Sequence, residues 1–119
     1  MSQPLVSVIV LTYNHERFIK SCLEGILNQD YENLEVIVCD DFSEDKTWGI
    51  IESIDDEKGR IRSFRNKENL GPSRNFVCAL ELCKSDFIAL CEGDDLWTDS
   101  SKLSLQMEEM NADSSVSLV

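Results

Sequence analysis

The chain has 119 residues, 42 % of them hydrophobic, with 23 Asp and Glu against 11 Lys and Arg and a formal net charge of −12. That is enough chain for one domain around one modest core. The acidic balance argues against a nucleic-acid backbone or an anionic membrane as a partner of this surface, because both need a basic stripe.

The N-terminus "MSQPLVSVIV" has neither a basic leading segment nor a small-residue cleavage site, so it does not read as a signal peptide. No apolar run approaches the roughly 18 residues of a membrane span. Together these point to a cytoplasmic protein, with any membrane association supplied by parts absent from this chain. Five cysteines without a C-x-x-C pair, beside a single histidine, argue for free thiols in a reducing compartment and against a zinc site.

"LVSVIVL" (Leu5 to Leu11) is a β-branched apolar run, the pattern of a strand buried on both faces. Polar "TYNH" follows, with Asn14 placed to cap the next helix. In "ERFIKSCLEGILNQ", Phe18, Ile19, Cys22, Leu23, Ile26 and Leu27 recur at helical spacing. "LEVIVC" (Leu34 to Cys39) is a second buried strand. "DDFSEDKTWGIIESI" reads as a loop and then a helix capped near Ser43 or Asp45, with Trp48 and Ile51 inward. "RIRSFRN" (Arg60 to Asn66) alternates as a short strand near a sheet edge does. Pro72 in "NLGPS" starts a third helix, for which Phe76, Val77, Leu80 and Cys83 mark the inward face. "DFIALC" is a fourth strand. A helix over 100–111 follows, with Leu103, Met107 and Met110 on one face, and "SVSLV" begins a further strand.

Strands and helices thus alternate, which predicts an α/β fold: three layers with a mostly parallel sheet and right-handed crossovers. Residues 1–119 read as a single domain, and the closing apolar segment suggests the front part of a longer one. Ligands of such sheets bind beyond the carboxyl ends of the strands. "TYN" follows the first strand, "DD" the second and "EGDD" the fourth, so all three polar clusters can share one rim.

Each cluster has a plain and a chemical meaning. Asp40 and Asp41 serve as turn or cap residues, or one of their carboxylates accepts the ring N–H of uracil, thymine or guanine. Tyr13 is a half-buried core tyrosine or an aromatic wall for that base. Arg74, at a helix start, is a surface cation or a phosphate contact. "EGDD" puts Glu92, Asp94 and Asp95 within four residues. It is an acidic helix cap, or an oxygen-only site for a hard divalent cation such as Mg²⁺ or Mn²⁺. Gly93 suits a tight turn with close backbone approach.

Assembled, these motifs resemble the family 2 inverting glycosyltransferases of the GT-A fold, over essentially the whole chain. "VSVIVLTYN" is similar to that family's opening strand. "ILNQDYENLEVIVCDDFSEDKT" resembles its Q-x-x-x-x-x-E-(apolar)-(apolar)-V-D-D-x-S-x-D-x-T segment. "NLGPSRNFVCAL" resembles its N-x-G…R-N helix start, and "DFIALCEGDDLWTDSSKLSLQ" its D-x-D strand end. The resemblance implies transfer of a sugar from a UDP-, TDP- or GDP-linked donor to a glycan or lipid-linked acceptor hydroxyl, with inversion and a divalent metal, in polysaccharide or envelope synthesis. Thr12, Tyr13 and Asn14 then line the donor pocket, and Asp40, beside Asp41, reads the base. Arg74 lies near the nucleotide, Asp94 and Glu92 face the metal and diphosphate, and Asp95 faces the sugar or orients the site. Glu92 stands where Asp is commoner, which leaves Asp94 as the leading ligand. The resemblance puts the catalytic base beyond Val119. Three alternatives stand beside this one. The first is a non-catalytic nucleotide-sugar-binding fragment of the family. The second is a phospho-acceptor receiver domain, whose paired acids would follow the first strand and not the second. The third is a sugar-nucleotide nucleotidyltransferase, which would carry a glycine-rich, basic triphosphate loop after strand one, where this chain has "TYNHERF".

Overall fold

A computed structural model describes residues 3–94, 97 and 100–112. Four parallel strands form one sheet in the order β3-β2-β1-β4: β1 is Val6–Thr12, β2 Leu34–Asp40, β3 Ile61–Arg65 and β4 Phe87–Glu92. Four helices complete the order: α1 (Ile19–Leu27), α2 (Thr47–Ser53), α3 (Pro72–Leu82) and α4 (Lys102–Ala112). Asp95 and the expected final strand "SVSLV" lie outside the described residues, as does the side chain of Met110.

Every residue of β1 and β2 is buried, as their unbroken apolar sequences require of central parallel strands. Side chains alternate across a strand, and two cores result. Val6, Val8 and Val10 with Leu34, Val36 and Val38 pack under Ile19, Cys22, Leu23 and Ile26 of α1, Ile51 of α2, and Leu103 and Met107 of α4. Ile9, Leu11, Ile37 and Cys39 face the other way, against Phe76 and Ala79 of α3. The three-layer architecture is therefore the expected one, with α1, α2 and α4 on one face and α3 on the other.

Local differences have local causes. Asn14 does not cap α1. It has φ 55, and the helix begins five residues later, its first amides bonding the His15 carbonyl (Phe18 N and Ile19 N, 2.9 Å each). Phe18 consequently lies before the helix and is exposed. For α2, Asp45 does the capping work: its carboxylate accepts from Thr47 N at 2.9 Å and from the Thr47 hydroxyl. Burial opposes charge on Asp45, but these bonds outweigh it and hold its pKa below the ordinary value. Ser43 turns back to Asp40 instead. In α3 the buried residues are Asn75 and Ala79, whereas Val77 and Leu80, expected inward, are 52 % and 39 % exposed. The small Ala79 lets the helix approach the sheet on that stripe, which turns Val77 and Leu80 outward. All five cysteines are free thiols, and burial pushes the Cys39 thiol up to about 11.

Candidate functional site

The parallel register brings three strand ends level. Thr12 pairs with Asp40, and Leu11 with both Cys39 and Glu92. The ladder then runs one residue past each end, through Asp41 N to Thr12 O and Gly93 N to Leu11 O, both 2.9 Å. Side chains at this rim stand on paired backbone, so their directions are set before any ligand arrives.

A cavity of about 450 Å³ opens at the rim. Leu11, Thr12, Tyr13 and His15 line it from the end of β1, Asp41 from the loop after β2, and Glu92 from the end of β4. Asn69, Pro72 and Asn75 close it at the start of α3. Two carboxylates and no Lys or Arg stand among these described residues. An anionic ligand here therefore needs a cation or neutral donors to offset the charge.

Asp41 and Asp40 are not equivalent. Asp40 shares the parity of Val36 and Val38 and points to the α1/α2 side, away from the cavity. It is fully buried; Ser43 donates to it from its amide at 3.0 Å and from its hydroxyl, and Arg65 Nε lies 3.6 Å away. The structure does not bring Asp40 to the cavity: its carboxylate is held by its own loop and by Arg65, and Asp41 stands on the wall. Asp41 Oδ1 accepts from Asn66 Nδ2 (2.9 Å) and Leu70 N (2.7 Å), and Oδ2 from Gly71 N (2.9 Å). Of the roughly four acceptor sites of a carboxylate, one on Oδ2 remains.

Those bonds also fix the start of α3. Asn75 donates from Nδ2 to Cys39 O at 3.0 Å and accepts from Asn66 at Oδ1, 2.9 Å. Gly71 sits at φ 90, ψ 159 before Pro72, a region almost confined to glycine. An added Cβ would meet nothing within 4 Å. Gly71→Ala is therefore expected to cost about 1–3 kcal/mol through backbone strain alone, read as a lower denaturation midpoint; a wild-type midpoint would show that the turn relaxes at no cost.

The other anticipated residues fall as follows. Thr12 and Tyr13 line the cavity, Thr12 buried and Tyr13 exposed. Asn14 supports the neighbouring loop, its amide donating to Ser43 Oγ (2.9 Å) and its Oδ1 accepting from Glu44 N (2.8 Å). Arg74 is exposed on the first turn of α3, and Asp94 is exposed just past the Glu92 wall; neither lines the cavity. Among the described residues, no group of three or more His, Cys, Asp or Glu is arranged to hold a metal. His15, Asn69 and Asn75 also line the cavity, beyond the residues to which the sequence motifs point. Asn75 carried a signal, a polar residue four before Ala79 on the inward stripe of a helix.

Solved structures share the arrangement. The mannosyltransferase PcManGT of Pyrobaculum calidifontis, in complex with GDP-Man and Mn²⁺, matches with a TM-score of 0.88 at 28 % identity, over 97 % of this chain and 34 % of that one. TarS of S. aureus in complex with UDP-GlcNAc matches at 0.81 and 29 %, over 90 % of this chain and 31 % of that one. These are GT-A transferases, which bears out the expected fold class. In sequence, the UDP-Glc:α-D-GlcNAc-diphosphoundecaprenol β-1,3-glucosyltransferase WfaP of Escherichia coli is 38 % identical over 109 residues, 92 % of this chain and 42 % of the relative. The chain thus spans well under half the length of that relative. With the model for glycosyl transferase family 2 matching residues 7–119, the chain belongs to that family.

Proposed function

We propose that residues 1–119 form the donor-binding domain of a glycosyltransferase, and that the cavity takes the nucleotide diphosphate of a nucleotide-sugar. The observation that supports this best is the meeting of Tyr13, Asp41 and Glu92 on one cavity at the carboxyl ends of β1, β2 and β4. Tyr13 gives the base an aromatic wall. Asp41, in the role first expected of Asp40, offers its remaining Oδ2 site to a ring N–H, a preference that admits UDP, TDP or GDP. Arg74, exposed at the helix start outside the cavity lining, would have to reach the nucleotide from beyond the wall.

A divalent cation, Mn²⁺ or Mg²⁺, fits the chemistry of the acidic turn. Its donors are hard oxygens, and such ions commonly take one or two protein carboxylates, with water and phosphate completing the shell. Asp94 leads as ligand with Glu92 second, and Asp95 follows them outside the described residues. The ion, when bound, would neutralise charge developing on the leaving diphosphate. An acceptor hydroxyl attacks the anomeric carbon from the opposite face and inverts it. We assign none of the cavity residues to taking that proton.

The names of the similar proteins support a cell-envelope role. WfaP, for one, acts on a diphosphoundecaprenol-linked sugar. A lipid-linked acceptor would bring the cytoplasmic domain to a membrane surface. Among the described residues no helix is long and apolar enough to cross one.

Calorimetry with UDP and GDP, each with and without Mn²⁺, tests the proposal. One nucleotide should bind, at least about tenfold tighter with the metal, equivalent to about 1.4 kcal/mol, and Asp94→Ala should remove that gain. Equal affinity with and without Mn²⁺ would refute the metal role. Absence of binding by either nucleotide would refute the donor site.

A further inference from the structure

We propose that His15 binds the diphosphate of the donor, its ring Nε2 donating a hydrogen bond to a phosphoryl oxygen. This rests on the donor-site reading above. The residue is held at three points. Its amide donates to Thr47 Oγ1 at 2.9 Å. Its carbonyl accepts from Phe18 N and Ile19 N, 2.9 Å each. Its ring Nδ1 lies 2.9 Å from Thr12 Oγ1. Thr12 is itself buried and fixed in β1. A surface histidine with no task has no need of a backbone pinned to two helices and a ring pinned to a strand.

The placement has chemical consequences. The ring lines the cavity and is the one basic side chain among the described residues that do so. It also abuts the acidic turn: a Cβ on Gly93 would come within 2.6 Å of Nδ1. A nucleotide whose base lies at Asp41 and whose diphosphate reaches toward Glu92 and Asp94 passes this ring. The 2.9 Å contact admits a Thr12 hydroxyl donating to Nδ1; in that tautomer, the one proposed here, the ring proton sits on Nε2. Among the described residues Nε2 has no partner. The same contact orients the ring, so the ring is in place before the ligand. In a cavity with two carboxylates, a ring N–H donor to phosphate does not depend on the metal being present.

The test separates contact with the diphosphate from upkeep of the cavity. UDP and uridine, or GDP and guanosine where those bind, are titrated by NMR into the full 119-residue chain without metal, for wild type, His15→Ala and His15→Gln. Removal of a hydrogen bond to a charged group should weaken the nucleotide diphosphate about tenfold or more. The nucleoside should change by less than about twofold, and Gln, whose amide reaches the Nε2 position, should recover part of the loss. Equal weakening of both ligands would make His15 a residue that only shapes the wall, and unchanged diphosphate affinity would also overturn the assignment. If wild type binds neither ligand, the donor-site reading fails and His15 with it. If wild type binds the nucleoside and the diphosphate equally, the base site survives and the His15 assignment alone is lost.

Discussion

Gly93→Ala is expected to abolish measurable nucleotide binding and to lower stability by about 1–3 kcal/mol, the usual cost of forcing extra volume into a packed site. The new Cβ would stand 2.6 Å from Thr12 Oγ1, 2.6 Å from His15 Nδ1 and 2.8 Å from Thr12 Cβ. None of these can yield easily. Thr12 lies in the register with Asp40, and its carbonyl receives the Asp41 amide. His15 is fixed through its own amide and carbonyl. The turn must therefore move. It carries Glu92 and Asp94, and its amide bond to Leu11 O is what continues β4 beyond the strand. Gly93 is not among the residues of positive φ, so alanine meets no backbone strain there and the whole effect is steric. This is the reverse of Gly71, where space is free and φ is the obstacle. A denaturant midpoint and a nucleotide titration on the same variant check the expectation. Wild-type values for both would mean that the turn is adaptable and that the acidic residues are not placed by this contact.

The contrast between Asp40 and Asp41 shows where sequence ceases to be enough. Strand existence was readable because β1 and β2 are buried on both faces and so are apolar throughout. That same uniformity hides the parity: Leu34, Val36 and Val38 look no different from Ile37 and Cys39 until the two cores are seen. Only then does Asp40 point to α1 and α2, and Asp41 to the start of α3. The rim clusters were legible because parallel strands must end level, and Thr12, Asp41 and Glu92 do meet there. His15 was not legible, since a lone histidine in "TYNH" has no periodicity to mark it, and its role comes from Thr47, 32 residues away. The face of α3 differs from the expected one for a related reason. Val77 and Leu80 are apolar, yet the contact with the sheet is made through the small Ala79 and the hydrogen-bonded Asn75.

At the opposite end of the sheet from the cavity, Glu35→Ala is expected to destabilise the fold by about 2–4 kcal/mol. Glu35 is buried inside β2, a position where an unpaired carboxylate would be intolerable. Ser7 of β1 donates to it through its hydroxyl. Lys84 N, in the connection from α3 to β4, donates at 2.6 Å, and Arg62 of β3 donates from Nη1 at 3.1 Å. One side chain thus ties three strands and the approach to the fourth. Alanine removes the acceptor of all three donors; Arg62, part exposed, keeps Leu82 O at 3.2 Å, while the buried Ser7 hydroxyl loses its partner inside the sheet. Glutamine keeps the volume and an oxygen for Ser7 and Lys84 N, which share Oε2, but turns its amide N–H₂ toward the Arg62 guanidinium, so it should recover only part of the loss. The pH dependence has a definite sign. Burial alone would raise the Glu35 pKa, but the bonds from Ser7, Lys84 N and Arg62 and the Arg62 charge outweigh it and hold the carboxyl below its ordinary 4.5. The unfolded chain therefore takes up this proton more readily than the folded one. The stabilisation is complete above the ordinary value and is lost as pH falls below it and through the folded value. Wild type and Glu35→Gln should accordingly differ most near neutrality and converge in acid, in denaturant titrations at pH 7 and at successively lower pH. A gap that stays constant with pH would mean that the ionised carboxylate contributes nothing beyond its shape. A gap below about 0.5 kcal/mol at neutral pH, within the range of ordinary surface changes, would mean that the network does not hold the sheet together.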